Sequence, residues 1–198
     1  MSEERKSGRI LGLDVSTKTI GIALFEGDGT LMELTNITPV IKPKPETKLE
    51  ELFKKVDAFE KLITRYIELD IEKVVIEEPL LNSNNVYTIQ TLLRFNTLIC
   101  KEVYDVLGII PDFISTYNSR KFAWPDLVQL NDKGKHVLFG GLPKDVDKKM
   151  LIWEKVAKRE PQITWHYTKN NTLKKENFDQ TDAYTCVLGY MRQNEIWQ

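Results

Sequence analysis

Apolar residues fall in short, nearly continuous runs at the start of the chain and at three- and four-residue steps farther on. Residues 9–15 (RILGLDV) are apolar almost throughout and end on a carboxylate, which marks a buried strand. Residues 19–26 follow a polar turn at Ser16, Thr17 and Lys18. Gly27, Asp28 and Gly29 then form a hairpin signal leading into a third strand at 30–37. The pattern predicts an antiparallel meander. Pro39, Pro43 and Pro45 close it with a linker that excludes helix.

The period then changes. Leu49, Leu52, Phe53, Val56, Phe59, Ile63, Tyr66 and Ile67 recur at helical spacing and predict an amphipathic helix over 47–69. Residues 72–76 (EKVVI) read as a short buried strand stopped at Glu77, Glu78 and Pro79. The polar loop 82–85 leads into a second helix carrying Ile89, Leu92, Leu93, Asn96, Ile99 and Val103, with Gly108 as its stop. Residues 109–115 predict a fifth strand. The order β-β-β-α-β-α-β implies an α/β protein with a mixed five-stranded sheet flanked by helices. Beyond Asn118 the signal weakens. Residues 124–142 hold Pro125, Gly134, Gly140 and Gly141 and read as an irregular insertion. Residues 145–159 and 178–193 read as helices, separated by a polar, basic segment with Trp165, His166 and Tyr167 interleaved.

Composition changes this picture little. With 198 residues, 41% hydrophobic and 29% charged, the chain is expected to form a single domain over 1–198 with a real core. No apolar run reaches bilayer length, and no apolar stretch follows the charged start MSEERKSGR. The expectation is a cytoplasmic protein without a secretory signal and without a membrane partner. Cys100 and Cys186 form no metal-binding pair and are expected to be small core residues. The net charge of −1 is not that of a typical nucleic-acid binder, yet residues 115–176 carry 13 Lys and Arg against 7 Asp and Glu. Such a segment permits a polarised surface or only a solvated face.

Four acids stand where carboxylates are costly. Asp14 ends an apolar strand, Glu77 ends another, and Asp179 and Asp182 lie three apart at the start of the last helix, on one face. No cation is evident beside either strand-end acid. If the two strands are adjacent, the carboxylates emerge at one sheet edge, where their repulsion calls for a divalent metal. Oxygen-only ligands suit Mg²⁺ or Mn²⁺ rather than zinc. Each acid also has a plainer reading: Asp14 as a turn cap, Glu77 as an exposed strand end, and Asp179 and Asp182 as complements to a helix dipole.

The segments ILGLDVSTKTIGIALFE, VVIEEP and NFDQTDAYTCVLGYMR resemble, in that order, the first hairpin, the glutamate-ended fourth strand and the last helix of RuvC-type Holliday junction resolvases, members of the RNase H-like superfamily. The resemblance covers the chain except 124–142. It implies an RNase H-like fold and a homodimer that resolves four-way DNA junctions by paired symmetric nicks. It also implies two Mg²⁺ ions per active site, replaceable by Mn²⁺ and held by Asp14, Glu77, Asp179 and Asp182. Asp14 would bridge the ions, and Asp182, followed by Ala183, matches the terminal ligand. The family places an aromatic wedge after the glutamate. Here Pro79, Leu80 and Leu81 stand there, so Leu80 or Leu81 reads as an apolar wedge or as a core contact. Glu78 reads as a support for the site or as a solvated neighbour. Lys148 and Lys149 fall about where the family carries basic residues, although an insertion precedes them and lysines on a helix commonly face solvent.

Arg120, Lys121, Lys169, Lys174 and Lys175 are further candidate DNA contacts, and the plain surface reading stands beside that one. His136 and His166 are expected to be non-catalytic. Phe95, Leu98 and Tyr104 lie off the predicted core face of the second helix. They are candidates for a dimer interface, or for packing under the insertion. Other readings remain: an RNase H-like nuclease acting on branched DNA generally or on RNA–DNA hybrid, or a junction-binding protein without catalysis. Sugar kinases and actin-like ATPases open with a similar G-x-D-x-[ST]-T hairpin, but the second phosphate loop and adenosine motif they need are not found.

Overall fold

In the computed structural model, which describes residues 8–79, 85–143 and 145–196, the alternation of β1 (Arg9–Val15) decides the architecture. Leu11, Leu13 and Val15 face one side of a five-stranded sheet, while Ile10, Gly12 and Asp14 face the other. Both faces are covered, which explains why this strand reads as continuously apolar. The sheet order is β3-β2-β1-β4-β5, with β2 (Ile20–Phe25) and β3 (Leu31–Ile37) antiparallel as expected. The strands β4 (Ile71–Glu77) and β5 (Asp112–Ile114) add on parallel to β1.

One face packs against α1 (Lys48–Ile63) and α2 (Val86–Leu107), through Leu52, Phe59, Phe95, Ile99 and Val103. Thr47 caps α1 by accepting from the Glu50 amide, and the Glu50 carboxylate in turn accepts from the Glu46 amide. The expected helix over 47–69 ends as an α-helix at Ile63 and continues as a tighter 3₁₀ segment, Thr64–Leu69. Leu49, Phe53 and Ile67, expected in the core, stand half exposed because the sheet accepts a narrower stripe than the periodicity suggested. Phe95, expected at a surface, is fully buried against the sheet. It is therefore not an interface residue, and it does not lie under 124–142, which packs on the opposite face.

That opposite face holds α3 (Thr116–Ala123), α4 (Lys148–Arg159) and α5 (Glu176–Gln193). The sequence reading missed α3 and carried the fifth strand from 109 to the cap residue Ser115, whereas that strand is only three residues long. Ser115 caps α3 by accepting from the Asn118 amide, and Asp147 caps α4. The segment 124–142 is partly regular: a 3₁₀ turn, Pro125–Leu127, leads into β6 (Val128–Leu130), which pairs with β7 (His136–Leu138). Cys186 lies in the core and Cys100 is half-buried; both are free thiols. No helix among the described residues is long and apolar enough to cross a membrane.

The helix α5 is buried nearly all round from Asn177 to Met191, between the sheet on one side and α3 and α4 on the other. Gly12, Gly21 and Gly189 allow this, and a Cβ on Gly12 would lie 2.1 Å from Val187 Cγ2. A Cβ on Gly189 would lie 2.3 Å from the Ser119 carbonyl oxygen, so α3 crosses α5 at backbone distance. A Cβ on Gly21 would lie 2.0 Å from the carbonyl oxygen of Asp179, and Gly21 is the cross-strand partner of Asp14. The acidic start of α5 thus lies against β2, directly beside Asp14 on the paired strand. Gly21→Ala is expected to push that turn away and to destabilise the fold by about 1–3 kcal/mol. A lowered urea midpoint with an unchanged slope checks this; an unchanged midpoint would contradict the close approach.

Candidate active site

The parallel register of β1 and β4 pairs Leu13 with Ile76, so Asp14 and Glu77 come level at the same strand ends. Both have the parity of the α5 face, and they meet Asp179 and Asp182 there. Asp182 is 5% exposed, while Asp14, Glu77 and Asp179 are half-buried. The pKa of Asp14 is pushed well above the usual carboxylate value, first by burial and then by the charges of Asp182, Glu77 and Asp179. Glu77 is raised to about 7, by burial and then by Asp182. Asp179 is raised to about 6 by burial, with Lys149 opposing and Asp182 and Glu176 reinforcing the rise.

Two cations that the sequence offered only as candidate DNA contacts stand among these acids. Arg120 Nη2 donates to Asp182 Oδ1 at 3.2 Å, and Lys149 Nζ donates to Asp182 Oδ2 at 2.8 Å. Burial pulls the Lys149 pKa down, but Asp182, Asp14 and Asp179 outweigh it and leave the ammonium above its ordinary value. The Arg120 guanidinium is mostly buried, and its Nε is enclosed with no hydrogen-bond partner among the described residues. Two hydroxyls that sequence reasoning overlooked come from α3. Thr116 donates to Glu77 Oε1 at 2.7 Å, and Ser119 Oγ stands 3.5 Å from Glu77 Oε2. The signal for them was local: Ser115 as a cap with a short polar helix behind it.

The other candidates lie elsewhere. Lys121 sits over the Phe122 ring and Lys148 over that of Phe139, away from the acids. Lys174 and Lys175 border a groove that reaches Asp179, and Lys169 is exposed at a loop tip. Glu78 is exposed, its amide donating to the Ile114 carbonyl. His136 is exposed on β7, and His166 is exposed with its backbone hydrogen-bonded to Asn177. Leu80 and Leu81, read as wedge candidates, lie outside the described residues.

The donor set consists of oxygens from carboxylates that raise one another's pKa, a chemistry that fits a hard divalent cation such as Mg²⁺. As placed, no three acidic, histidine or cysteine side chains among the described residues form a metal cage, and both oxygens of Asp182 are engaged by cations. The site therefore balances its acids with Arg120 and Lys149, and the residues that would hold a cation are Asp14, Glu77, Asp179 and Asp182.

No protein-family model matches the chain, and no curated protein matches it. Solved structures do. RuvC of Thermus thermophilus is similar over 94% of this chain and 96% of its own, at 13% identity and a TM-score of 0.56. RuvC of the same organism in complex with a Holliday junction substrate gives 10% identity, the same coverage and a TM-score of 0.55. The yeast mitochondrial Holliday junction resolvase Ydc2 is similar over 98% of this chain and 82% of its own, at 10% identity and a TM-score of 0.57. The fold is the RuvC-type, RNase H-like fold. Within it, the acids of this chain lie at the ends of β1 and β4 and in the first two turns of α5.

Because the folded pKa of Glu77 lies above the ordinary carboxylate value of 4.5, the folded state binds more protons than the unfolded one between pH 4.5 and about 7. Stability without divalent metal is therefore expected to fall as pH rises through that window. Glu77→Gln keeps an acceptor for Thr116 and removes the charge. It should exceed the wild type by roughly 2–3 kcal/mol at pH 8 and match it near pH 4. Urea melts in EDTA at several pH values test this, and a Gln variant less stable at pH 8 would contradict it.

Proposed function

We propose that this chain is a Mg²⁺-dependent endodeoxyribonuclease that resolves four-way DNA junctions. The observation carrying the reading is the meeting of Asp14, Glu77, Asp179 and Asp182, with Arg120 and Lys149, at one end of a RuvC-type fold. Asp14, Glu77, Asp179 and Asp182 would hold the ions; Mn²⁺ would substitute. Bound there, such ions supply positive charge that polarises a phosphodiester and the attacking water. The residues of the chain do the rest. Parallel pairing fixes Asp14 and Glu77 side by side, and Thr116 holds Glu77 in one orientation. Arg120 and Lys149, which pair with Asp182, would bind the phosphate oxygens beside the bond that breaks. DNA neighbours such as the junction bound by Thermus thermophilus RuvC support a branched DNA substrate.

Two symmetric nicks need two sites on one junction, and a two-fold dimer supplies them. With Phe95 buried, the apolar surface left for such an interface on α2 is Leu93, the half-exposed Tyr104, and Val86 and Tyr87 at its start. Leu98 is only partly buried beside them.

A cleavage panel of four-way junction, Y-fork, duplex and RNA–DNA hybrid tests the reading. The expected outcome is junction nicking with Mg²⁺ or Mn²⁺, binding without nicking in Ca²⁺, and linear product from a cruciform plasmid by a species that sediments as a dimer. Asp14→Asn, Glu77→Gln and Asp182→Asn should each lower cleavage at least about a hundredfold while junction binding survives. Robust cleavage in excess EDTA, or full activity of Asp14→Asn, would overturn the proposal. Preference for RNA–DNA hybrid would move it to another RNase H-like nuclease.

A further inference from the structure

A groove of about 1090 Å³ opens beside the acids and reaches Asp179. Its rim carries Lys18, Lys174 and Lys175, and its walls include the apolar side chains of Pro39, Leu173 and Phe178. The three lysines differ from others on this surface. Lys48, Lys54, Lys55 and Lys149 are each paired with a carboxylate, whereas Lys18, Lys174 and Lys175 make no ion pair among the described residues.

One wall is built rather than draped. The segment after Trp165 forms a small hairpin closed by a bridge between Tyr167 and Leu173. Its tip is fastened by Thr168 and Thr172, whose hydroxyls lie 2.7 Å apart and whose backbones join at 2.8 Å. Asn171 sits at φ 58° in the left-handed turn that an asparagine tolerates. The base of the hairpin is locked by Asn177, fully buried, which accepts from the His166 amide at 3.0 Å and donates to the His166 carbonyl at 2.6 Å. Trp165 packs edge-on against Trp153 of α4. Since Asn177 lies in the first turn of α5, two residues before Asp179, the wall and the acids share one support.

We propose that this groove holds a single, unpaired DNA strand leading to the acids, with its phosphates on Lys18, Lys174 and Lys175 and its sugars and bases against Phe178 and Leu173. This rests on the nuclease reading above and adds the form of the substrate at the site. Free cations beside an apolar wall make the combination that binds a single strand. A duplex presents phosphates and keeps its base faces stacked inside, leaving the apolar wall without a partner.

The test measures fluorescence anisotropy of a short fluorescein-labelled oligothymidylate, and of a duplex of equal length, on the full chain in EDTA over a salt series. Lys174→Glu with Lys175→Glu is expected to weaken single-strand binding at least about tenfold and to lower the slope of log K against log salt by about 1.4, near 0.7 per lost phosphate contact. Phe178→Leu, which retains an apolar side chain, should weaken single-strand binding and leave duplex binding unchanged. Lys133→Glu with Lys135→Glu, on the turn between β6 and β7, should change neither. Wild-type affinity and slope in the Lys174 and Lys175 variant would overturn the groove, as would an equal loss in the Lys133 and Lys135 control. Equal binding of duplex and single strand, both sensitive to Lys174 and Lys175, would overturn the choice of an unpaired strand. Single-strand binding that responds as expected in a protein that cuts no junction supports the groove and removes the nuclease reading. Junction cleavage by a protein whose groove variants bind as the wild type does removes the groove alone.

Discussion

The parallel pairing of β1 with β4 is the constraint on which the site depends. A parallel pair buried on both faces leaves its ladder little freedom to slip, because a one-residue shift would turn every apolar side chain to the wrong side. Register and parity together bring Asp14 and Glu77 level and aim them at α5. The chain thereby spends folding free energy to bury carboxyl groups and bring them together, and the pKa values of Asp14, Glu77 and Asp179 are raised first by that burial and then by neighbouring acids. Arg120 and Lys149 offset part of it through Asp182.

This arrangement divides the labour between layers. The face against α1 and α2 is apolar apart from the buried Lys55 and Asn96 and carries stability. The face against α5 is apolar over most of its length and becomes ionic only at the end where Asp14, Glu77, Asp179 and Asp182 meet. Polar groups at that end are supplied by three separate helices, α3, α4 and α5, each held by the sheet or by α5 itself. The result is a charged cluster supported by regular elements rather than by loops, the condition under which side-chain geometry is best preserved.

What could be read in the sequence was whatever repeats or interrupts a period. The strand runs, the two amphipathic helices and the four acids at element ends announced themselves because apolar periodicity makes an acid conspicuous. Arg120 and Lys149 did not, since a cation on a polar helix looks the same whether it faces solvent or a buried carboxylate; only the packing of α3 and α4 on α5 separates the cases. The helix α3 is eight residues long and mostly polar, so neither its existence nor the role of Thr116 was legible. Phe95 failed for the opposite reason: its neighbours on α2 suggested a narrow buried stripe, and the sheet covers a different edge of the helix.

The contact at Gly189 has a consequence for how the molecule opens. With the Ser119 carbonyl lying where a side chain would otherwise stand, α3 and α5 form one block, and neither can peel from the sheet without exposing the other. Such a block opens as a single cooperative unit, so the groups it carries, Thr116, Ser119, Arg120, Asp179 and Asp182, are lost and regained together. Partial fraying would then yield molecules with the whole constellation or with none of it, and few that hold a misassembled half.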